Sequence, residues 1–290
     1  MEVRVAPSCA TQSMEVKTSF EFRVPPKILT GIGCLDGLGP AAKELGGKMA
    51  LVVTDKIVGT GETLEGVTSR LKTVGIDAVV YDGVDREPTV GHVEEGLKAL
   101  RESGADMVVA LGGGSPIDTA KAVAAMATNP GSIVDYEGAN KFKNRKLPLI
   151  VISTTAGTGS EVTRNTIITD TVRNVKMLIS SPLLIPDVAI DDPVLTISMP
   201  PSVTASTGID ALTHAIEAYI SRKASPLTDH LAISAIRLIG RSLRKAWANG
   251  QDIQARSDMM EGQLEAGMAF SNSSVCLVHG MARPVGAYFH

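Results

Sequence analysis

Short apolar runs separated by stretches of helical periodicity constrain this chain more than any other feature. The runs are Met49–Asp55 (MALVVTD), Gly75–Gly83 (GIDAVVYDG), Ala105–Gly114 (ADMVVALGGG) and Leu147–Gly157 (LPLIVISTTAG). Each is the length of a strand, too short for a buried helix. Between them, Val90, Val93, Leu97 and Leu100 recur at helical spacing, and Ile117, Ala120, Ala124 and Ala127 form a similar stripe. Strands alternating with helices require right-handed crossovers and a parallel sheet buried on both faces.

The pattern then changes. Residues Asn165–Ser181 predict two strands joined by a turn near Val172–Asn174. Beyond Pro200–Pro201 the spacing predicts helices, with Ser225 and Pro226 as N-cap and first helical residue of one of them. The expected organisation is a flexible tail over 1–20, an α/β domain over 21–195 and an all-α domain over 196–290, with a ligand cleft between the two halves. Composition narrows the partners. A net charge of −3 with no long basic run argues against nucleic acid, and no run of about 18 apolar residues is present to span a membrane. Cys9, Cys34 and Cys276 are odd in number and widely spaced, which is no disulfide framework; with no signal-peptide pattern at the start, a reducing cytoplasm is expected.

Three constellations can carry chemistry. The segment Leu111–Lys121 (LGGGSPIDTAK) leaves a strand and opens a helix. Its glycines allow close backbone approach, Ser115 and Pro116 suit the helix start, and the helix N-terminus favours phosphate. The competing reading is a tight strand–helix turn that binds nothing. Asp55, at the end of the first run, is placed either to accept hydrogen bonds from a ribose diol, favouring NAD over NADP, or to cap a local turn. In Gly208–Tyr219 (GIDALTHAIEAY), Asp210 and His214 are i, i+4 and share a helix face that Glu217 extends. Ile209, Leu212, Ile216 and Ile220 occupy the other side. Asp210 and His214 can ligate one divalent ion or form a solvated face. His279 follows the apolar run Val275–Val278 and stands i, i+4 from Arg283; it is a further ligand candidate or a core histidine. One carboxylate with neutral imidazoles suits Fe²⁺ or Zn²⁺. His92 and His230 read as surface positions, Cys276 as a small buried hydrophobe, and Trp247 as a packing residue near a helix end.

Together these segments resemble the iron-containing (group III) alcohol dehydrogenase family, from about Phe22 to His290. The resemblance runs through PPKILTGIGCLDGLG, MALVVTDK, EPTVGHVEEG, ADMVVALGGGSPIDTAKA, STTAGTGSEVT, LIPDVAIDDP, PPSVTASTGIDALTHAIEAY and HGMARPVGA, in that order. It implies a Rossmann-like dinucleotide domain followed by a helical metal domain, the dehydroquinate synthase-like architecture. By resemblance, Gly112, Gly113, Gly114 and Ser115 hold the pyrophosphate of NAD, with Asp118 in the same segment. Asp55 matches the adenosine-ribose acid, Thr154, Thr155 and Thr158 the cofactor-lining segment, and Lys176 a lysine near the nicotinamide ribose. Asp210, His214 and His279 match three of the family's four metal ligands.

Two departures from the family pattern stand out. The fourth ligand is a histidine about fourteen residues past the one matched by His279, and the sequence stops at His290. The chain is therefore expected to be a C-terminally incomplete member. Arg283 stands where many relatives carry a histidine proposed as a proton relay. Arginine cannot titrate there, although its guanidinium can attract a polar substrate group. The resemblance implies a metal-dependent, NAD-linked alcohol dehydrogenase or aldehyde reductase, using Fe²⁺ or Zn²⁺ and acting on a small primary alcohol, diol or hydroxy compound, and a homodimer. The alternative expectations are a non-catalytic NAD-binding fragment and a zinc polyol dehydrogenase of the glycerol dehydrogenase type.

Overall fold

A computed structural model describes residues 19–289. The expected tail over 1–20 falls almost wholly outside these residues, as do Cys9 and His290. In chain order the elements begin with β1 (Lys27–Thr30), α1 (Leu38–Glu44), β2 (Met49–Val53), α2 (Glu62–Thr73) and β3 (Asp77–Tyr81). Next come α3 (Val90–Ser103), β4 (Met107–Gly112), α4 (Gly114–Met126), β5 (Gly138–Ala139) and β6 (Leu149–Ser153). The hairpin β7 (Asn165–Asp170) and β8 (Val175–Ser180) precedes β9 (Val188–Asp191). Four helices follow: α5 (Pro201–Ile220), α6 (Pro226–Ala248), α7 (Ile253–Asn272) and α8 (Leu277–Phe289).

Six strands form a parallel sheet in the order β1-β9-β6-β4-β2-β3. The two-residue side-chain period sends alternate residues of the central strands to opposite faces. Leu51, Val53, Val108, Ala110 and Val151 pack with Val93, Leu97, Ile117 and Val123 of α3 and α4. Ala50, Val52, Val109, Leu111 and Ile152 pack with Leu38 of α1 and Val67 and Leu71 of α2. The expectation of burial on both faces fails for β3. It is the edge strand of the sheet among the described residues, and Val79 and Val80 are exposed.

The hairpin β7–β8 and the short β5 form a separate three-stranded sheet. It lies across α4, which is consequently buried nearly all round rather than along one stripe. In the helical part, Ala211, Ala215, Ala235, Ala255 and Ala266 fill the centre beside Ile239 and Met259. Small side chains there bring α5, α6 and α7 close together. Ser225 caps α6 as expected: its Oγ accepts the Thr228 N–H. Trp247, by contrast, is exposed near the end of α6 and packs little, and Cys276 is only half-buried. No described helix is long and apolar enough to cross a membrane.

Candidate active site

The C-terminal ends of β2, β3, β4 and β6 converge on a cleft of about 680 Å³. Such a crevice beyond the strand ends is where open parallel sheets take ligands. It is lined by Asp55 after β2, Asp85 and Arg86 after β3, Gly113–Ser115 after β4, and Thr154 and Thr155 after β6. Its far wall is the Leu195–Val203 segment leading into α5.

The glycines of the β4–α4 turn are sterically required. Gly112 has φ +147°, and a Cβ on it would lie 2.7 Å from Pro116 Cγ. A Cβ on Gly113 would meet Thr155 Cγ2 at 3.1 Å, and one on Gly114 would meet Thr158 Cγ2 at 2.8 Å. The bare backbone thus lets the Thr154–Thr158 loop close against the start of α4. No side chain caps α4 at its N-terminus, so its first N–H groups stay available at the cleft. Asp55 caps a local turn at the rim of the cleft. Its Oδ1 accepts the N–H groups of Ile57 and Val58 at 2.8 and 2.9 Å, as a turn cap, while the residue also lines the cleft near Gly112.

Not every expected cofactor residue reaches the cleft. Asp118 is committed elsewhere: Oδ1 accepts the Ser160 hydroxyl and Oδ2 the Ile167 N–H at 2.8 Å. It pins the hairpin and the 154–163 loop to α4. Thr158 packs under Gly114, and Lys176 on β8 pairs with Glu87 and lies beside Gly286 of α8, outside the cleft lining.

The second constellation assembles on α5 and α8. Asp210, His214 and His279 offer ligand atoms that all lie within 4.8 Å of one another. Asp210 Oδ2 is 3.8 Å from His214 Nδ1, and Asp210 Oδ1 is 3.3 Å from His279 Nε2. The two imidazoles stack at 4.2 Å, and Phe270 of α7 stacks on the other side of His214. His214 Nδ1 is buried without a hydrogen-bond partner among the described residues. Burial pushes the His214 imidazole down to about 4, so it is neutral and can offer a lone pair at pH 7. Desolvation opposes the charge on His279, but Asp210 and Glu217 outweigh it and hold that imidazole above its ordinary value. An orphaned nitrogen beside a carboxylate and a second imidazole fits a divalent cation. Arg283 lies one turn beyond His279 and donates from Nε to its carbonyl at 3.4 Å.

The two sites share the 154–163 loop. Thr154 and Thr155 face the cleft, while the Gly157 backbone lies against His214. From α4, the buried Lys121 amine donates to Ser160 Oγ and Thr163 Oγ1 and to the carbonyls of Thr163 and Asn165. From α7, Gln263 accepts the Gly159 N–H at 2.9 Å and donates to Glu161 at 2.7 Å. Sequence reasoning passed over Lys121, Glu161 and Gln263, since single polar residues within helical or loop patterns carry no periodic signal. It also missed Asp85 and Arg86, although their place in the loop beyond the C-terminal end of β3 is where such a cleft is lined. His92, expected on the surface, is buried. Its Nδ1 accepts the Thr89 N–H at 3.2 Å and Nε2 faces Asp85, so the ring caps α3.

Comparison with known proteins matches this arrangement. The family profile described as "Iron-containing alcohol dehydrogenase" covers residues 25–193, and "Fe-containing alcohol dehydrogenase family, C-terminal" covers 204–290. The chain belongs to the iron-containing alcohol dehydrogenase family. It is 47% identical to long-chain-alcohol dehydrogenase 1 of Geobacillus thermodenitrificans over 92% of this chain and 68% of that protein. A crystal structure of 1,3-propanediol oxidoreductase superposes with a TM-score of 0.91 at 42% identity, over 93% of this chain and 71% of that one. Sulfoacetaldehyde reductase from Bifidobacterium kashiwanohense, solved with NAD⁺, superposes at 0.87 and 32% identity, over 94% and 72%. This chain thus spans about 70% of these relatives' lengths.

One property of α5 differs from expectation. Ile209, Ile216 and Ile220 are 54%, 43% and 63% exposed, whereas His214 and Glu217 are buried. Leu277, Met281, Val285 and Tyr288 of α8 are also exposed. The face taken as polar is turned inward because the metal-ligand candidates, Glu217 and the alanines of α5 meet α7 and α8.

Proposed function

We propose that this chain is an NAD-linked dehydrogenase for a small primary alcohol, diol or hydroxy compound, or the corresponding aldehyde reductase, with a divalent ion, Fe²⁺ before Zn²⁺, held by Asp210, His214 and His279. The observation carrying this reading is the shared 154–163 loop, which brings the nucleotide cleft and the ligand group together. When bound, NAD would serve as hydride acceptor at the cleft, and an ion held by Asp210, His214 and His279 would supply Lewis acidity toward the substrate oxygen.

The chain's own residues set the geometry. The free N–H groups at the start of α4, over Gly113–Ser115, bind the pyrophosphate, helped by the helix dipole. The Asp55 carboxylate accepts ribose hydroxyls and repels a 2′-phosphate, favouring NAD over NADP. Thr154 and Thr155 orient the cofactor from the opposite wall. His214, neutral through burial, offers a lone pair without first losing a proton. Arg283 cannot take up or release a proton, so it acts as a fixed positive charge that draws a carboxylate or other polar group of the substrate toward the ligand group. The proton of the carbonyl-reducing direction then comes from solvent or a hydroxyl.

The deciding experiment is anaerobic NADH formation with Fe²⁺, NAD and a panel of primary alcohols and diols. Metal-dependent turnover is expected, with the panel ranking the substrates. NAD binding without turnover on any of them would overturn the catalytic reading in favour of a nucleotide-binding fragment. Asp210→Ala combined with His214→Ala is expected to abolish stoichiometric metal binding.

A further inference from the structure

Glu217 is the most completely engaged carboxylate beside the ligand group. It lies three residues beyond His214 and seven beyond Asp210, so all three share one stripe of α5. It is 3% exposed. Its contacts fall on the first turn of α8 and on Cys276 just before it. The Glu217 carbonyl accepts the Cys276 thiol at 3.4 Å, Oε1 accepts the Val278 N–H at 2.7 Å, and Oε2 is 2.6 Å from His279 Nδ1.

An ionised carboxylate only accepts hydrogen bonds. Its contact with Nδ1 therefore requires that nitrogen to carry a hydrogen. Asp210 competes for the other nitrogen, but its contact is the longer one, 3.3 Å against 2.6 Å, so in a neutral ring the single hydrogen falls on Nδ1 and the lone pair on Nε2. That nitrogen is the one facing Asp210, 3.3 Å away. Resting on the divalent-ion reading given above, we propose that Glu217 is a positioning residue: its buried carboxylate selects the His279 tautomer that leaves Nε2 free to bind a divalent cation, and fixes the ring's direction. Partners of this kind on the far nitrogen of a ligating histidine govern metal affinity.

A simpler role is available, because Oε1 also satisfies an N–H in the first turn of α8. Glu217→Gln separates the two. Glutamine has nearly the same shape but one acceptor and one donor group. If its oxygen keeps the Val278 N–H, its amide nitrogen donates to Nδ1 and forces the hydrogen onto Nε2. Helix capping survives, and the ligating lone pair is lost.

The test is a Co²⁺ titration of the metal-free protein, read by d–d absorption and calorimetry, beside NAD binding and thermal melting. The expected result for Glu217→Gln is Co²⁺ affinity weakened by about 10–100-fold, with NAD affinity and melting temperature close to wild type. A lowered melting temperature with Co²⁺ affinity within twofold of wild type would leave only the capping role and overturn the proposal. Selective ¹⁵N-histidine labelling gives an independent readout without metal, at a pH raised until the His279 ring is neutral: Nδ1–H is expected for wild-type His279 and Nε2–H for Glu217→Gln. An unchanged tautomer would overturn the proposal even if the variant bound metal poorly. Should Glu217→Gln fail to fold, Glu217→Asp supports the same measurements, and weakened Co²⁺ binding is again expected. Wild-type protein that binds no Co²⁺ would overturn the divalent-ion reading itself, and this proposal with it. Wild-type binding that Asp210→Ala abolishes and Glu217→Gln spares would overturn the proposal alone.

Discussion

Replacing Gly159 with alanine should be among the most damaging small substitutions in this chain, because two independent costs fall on one methyl group. Gly159 has φ +61°, a left-handed conformation that costs an L-residue about 1–2 kcal/mol. The added Cβ would also stand 2.6 Å from the Gly267 Cα and 3.3 Å from the Gln263 carbonyl oxygen, both backbone atoms of α7 that cannot rotate away. Overpacking of that kind costs about 1–3 kcal/mol. The expected loss is about 2–5 kcal/mol, or roughly 3–8 °C in melting temperature at an unfolding entropy of about 2.1 cal/mol/K per residue.

Two other glycines isolate the components. Gly104 has φ +67° with nothing within 4 Å of a built Cβ, so Gly104→Ala reports backbone strain alone. Gly267 is helical, and its Cβ would meet the Gly159 Cα at 2.9 Å and the Gly159 carbonyl oxygen at 3.0 Å. Gly267→Ala therefore reports the clash, less the gain in helix propensity of about 1 kcal/mol. Urea denaturation of the three variants and of the Gly159→Ala/Gly267→Ala pair measures the terms. The pair should lose more than the sum of its members, since both new methyls claim one space. Nucleotide and metal affinity should fall together in Gly159→Ala, because the displaced loop borders both sites. A loss for Gly159→Ala no larger than for Gly104→Ala would refute the close approach of α7 to this loop.

Three further outcomes follow from individual charges. Burial, then Glu161 and Glu261, raise the Asp191 carboxyl well above its ordinary value, and neither of its oxygens has a hydrogen-bond partner among the described residues. The native state then keeps a proton that the unfolded chain releases near pH 4, so stability falls as pH rises from about 4 through the native value; Asp191→Asn should flatten that slope in urea melts, and a slope left intact would exclude Asp191 as its source. Lys121→Met strips one amine from four acceptors and leaves Glu161 and Asp118 without their nearby cation. A destabilisation of about 3–5 kcal/mol is expected, and less than 1 kcal/mol would show that the amine is dispensable. Asp55→Asn keeps an oxygen for the Ile57 and Val58 N–H groups while removing the charge, so the Kd ratio of NADP to NAD should drop about fivefold or more, a Coulomb term of about 1 kcal/mol at 4 Å in water; an unchanged ratio would remove Asp55 from cofactor choice.

The sheet and its Gly-rich turn were legible because their signals are local and strong. β2, β4 and β6 are unbroken apolar runs, and the hairpin turn falls at residues 171–174, between β7 and β8. β1 and β9 have only four residues each and no flanking periodicity, so nothing in the pattern marks them as strands; the sheet itself supplies their pairing.

The orientation of α5 was illegible for a different reason. The helix carries two apolar faces: isoleucines at 209, 216 and 220, and alanines at 211, 215 and 218. Hydrophobicity scales weight isoleucine above alanine, so periodicity alone directs the isoleucines inward. Packing decides otherwise. Small side chains let α6 and α7 approach, and a Cβ on Gly208 would lie 2.3 Å from Leu243 Cδ1, which leaves no room for a larger face at that crossing. His214 and Glu217 enter the interior on the same side because each finds polar or aromatic partners there: Phe270 and His279 around His214, and Val278 and His279 around Glu217. Pairwise contacts of that kind join residues about 60 positions apart in sequence, a separation over which no periodicity carries information. The polar stripe on α5 therefore reads as solvated in the sequence and becomes an interior site only once α7 and α8 are in place.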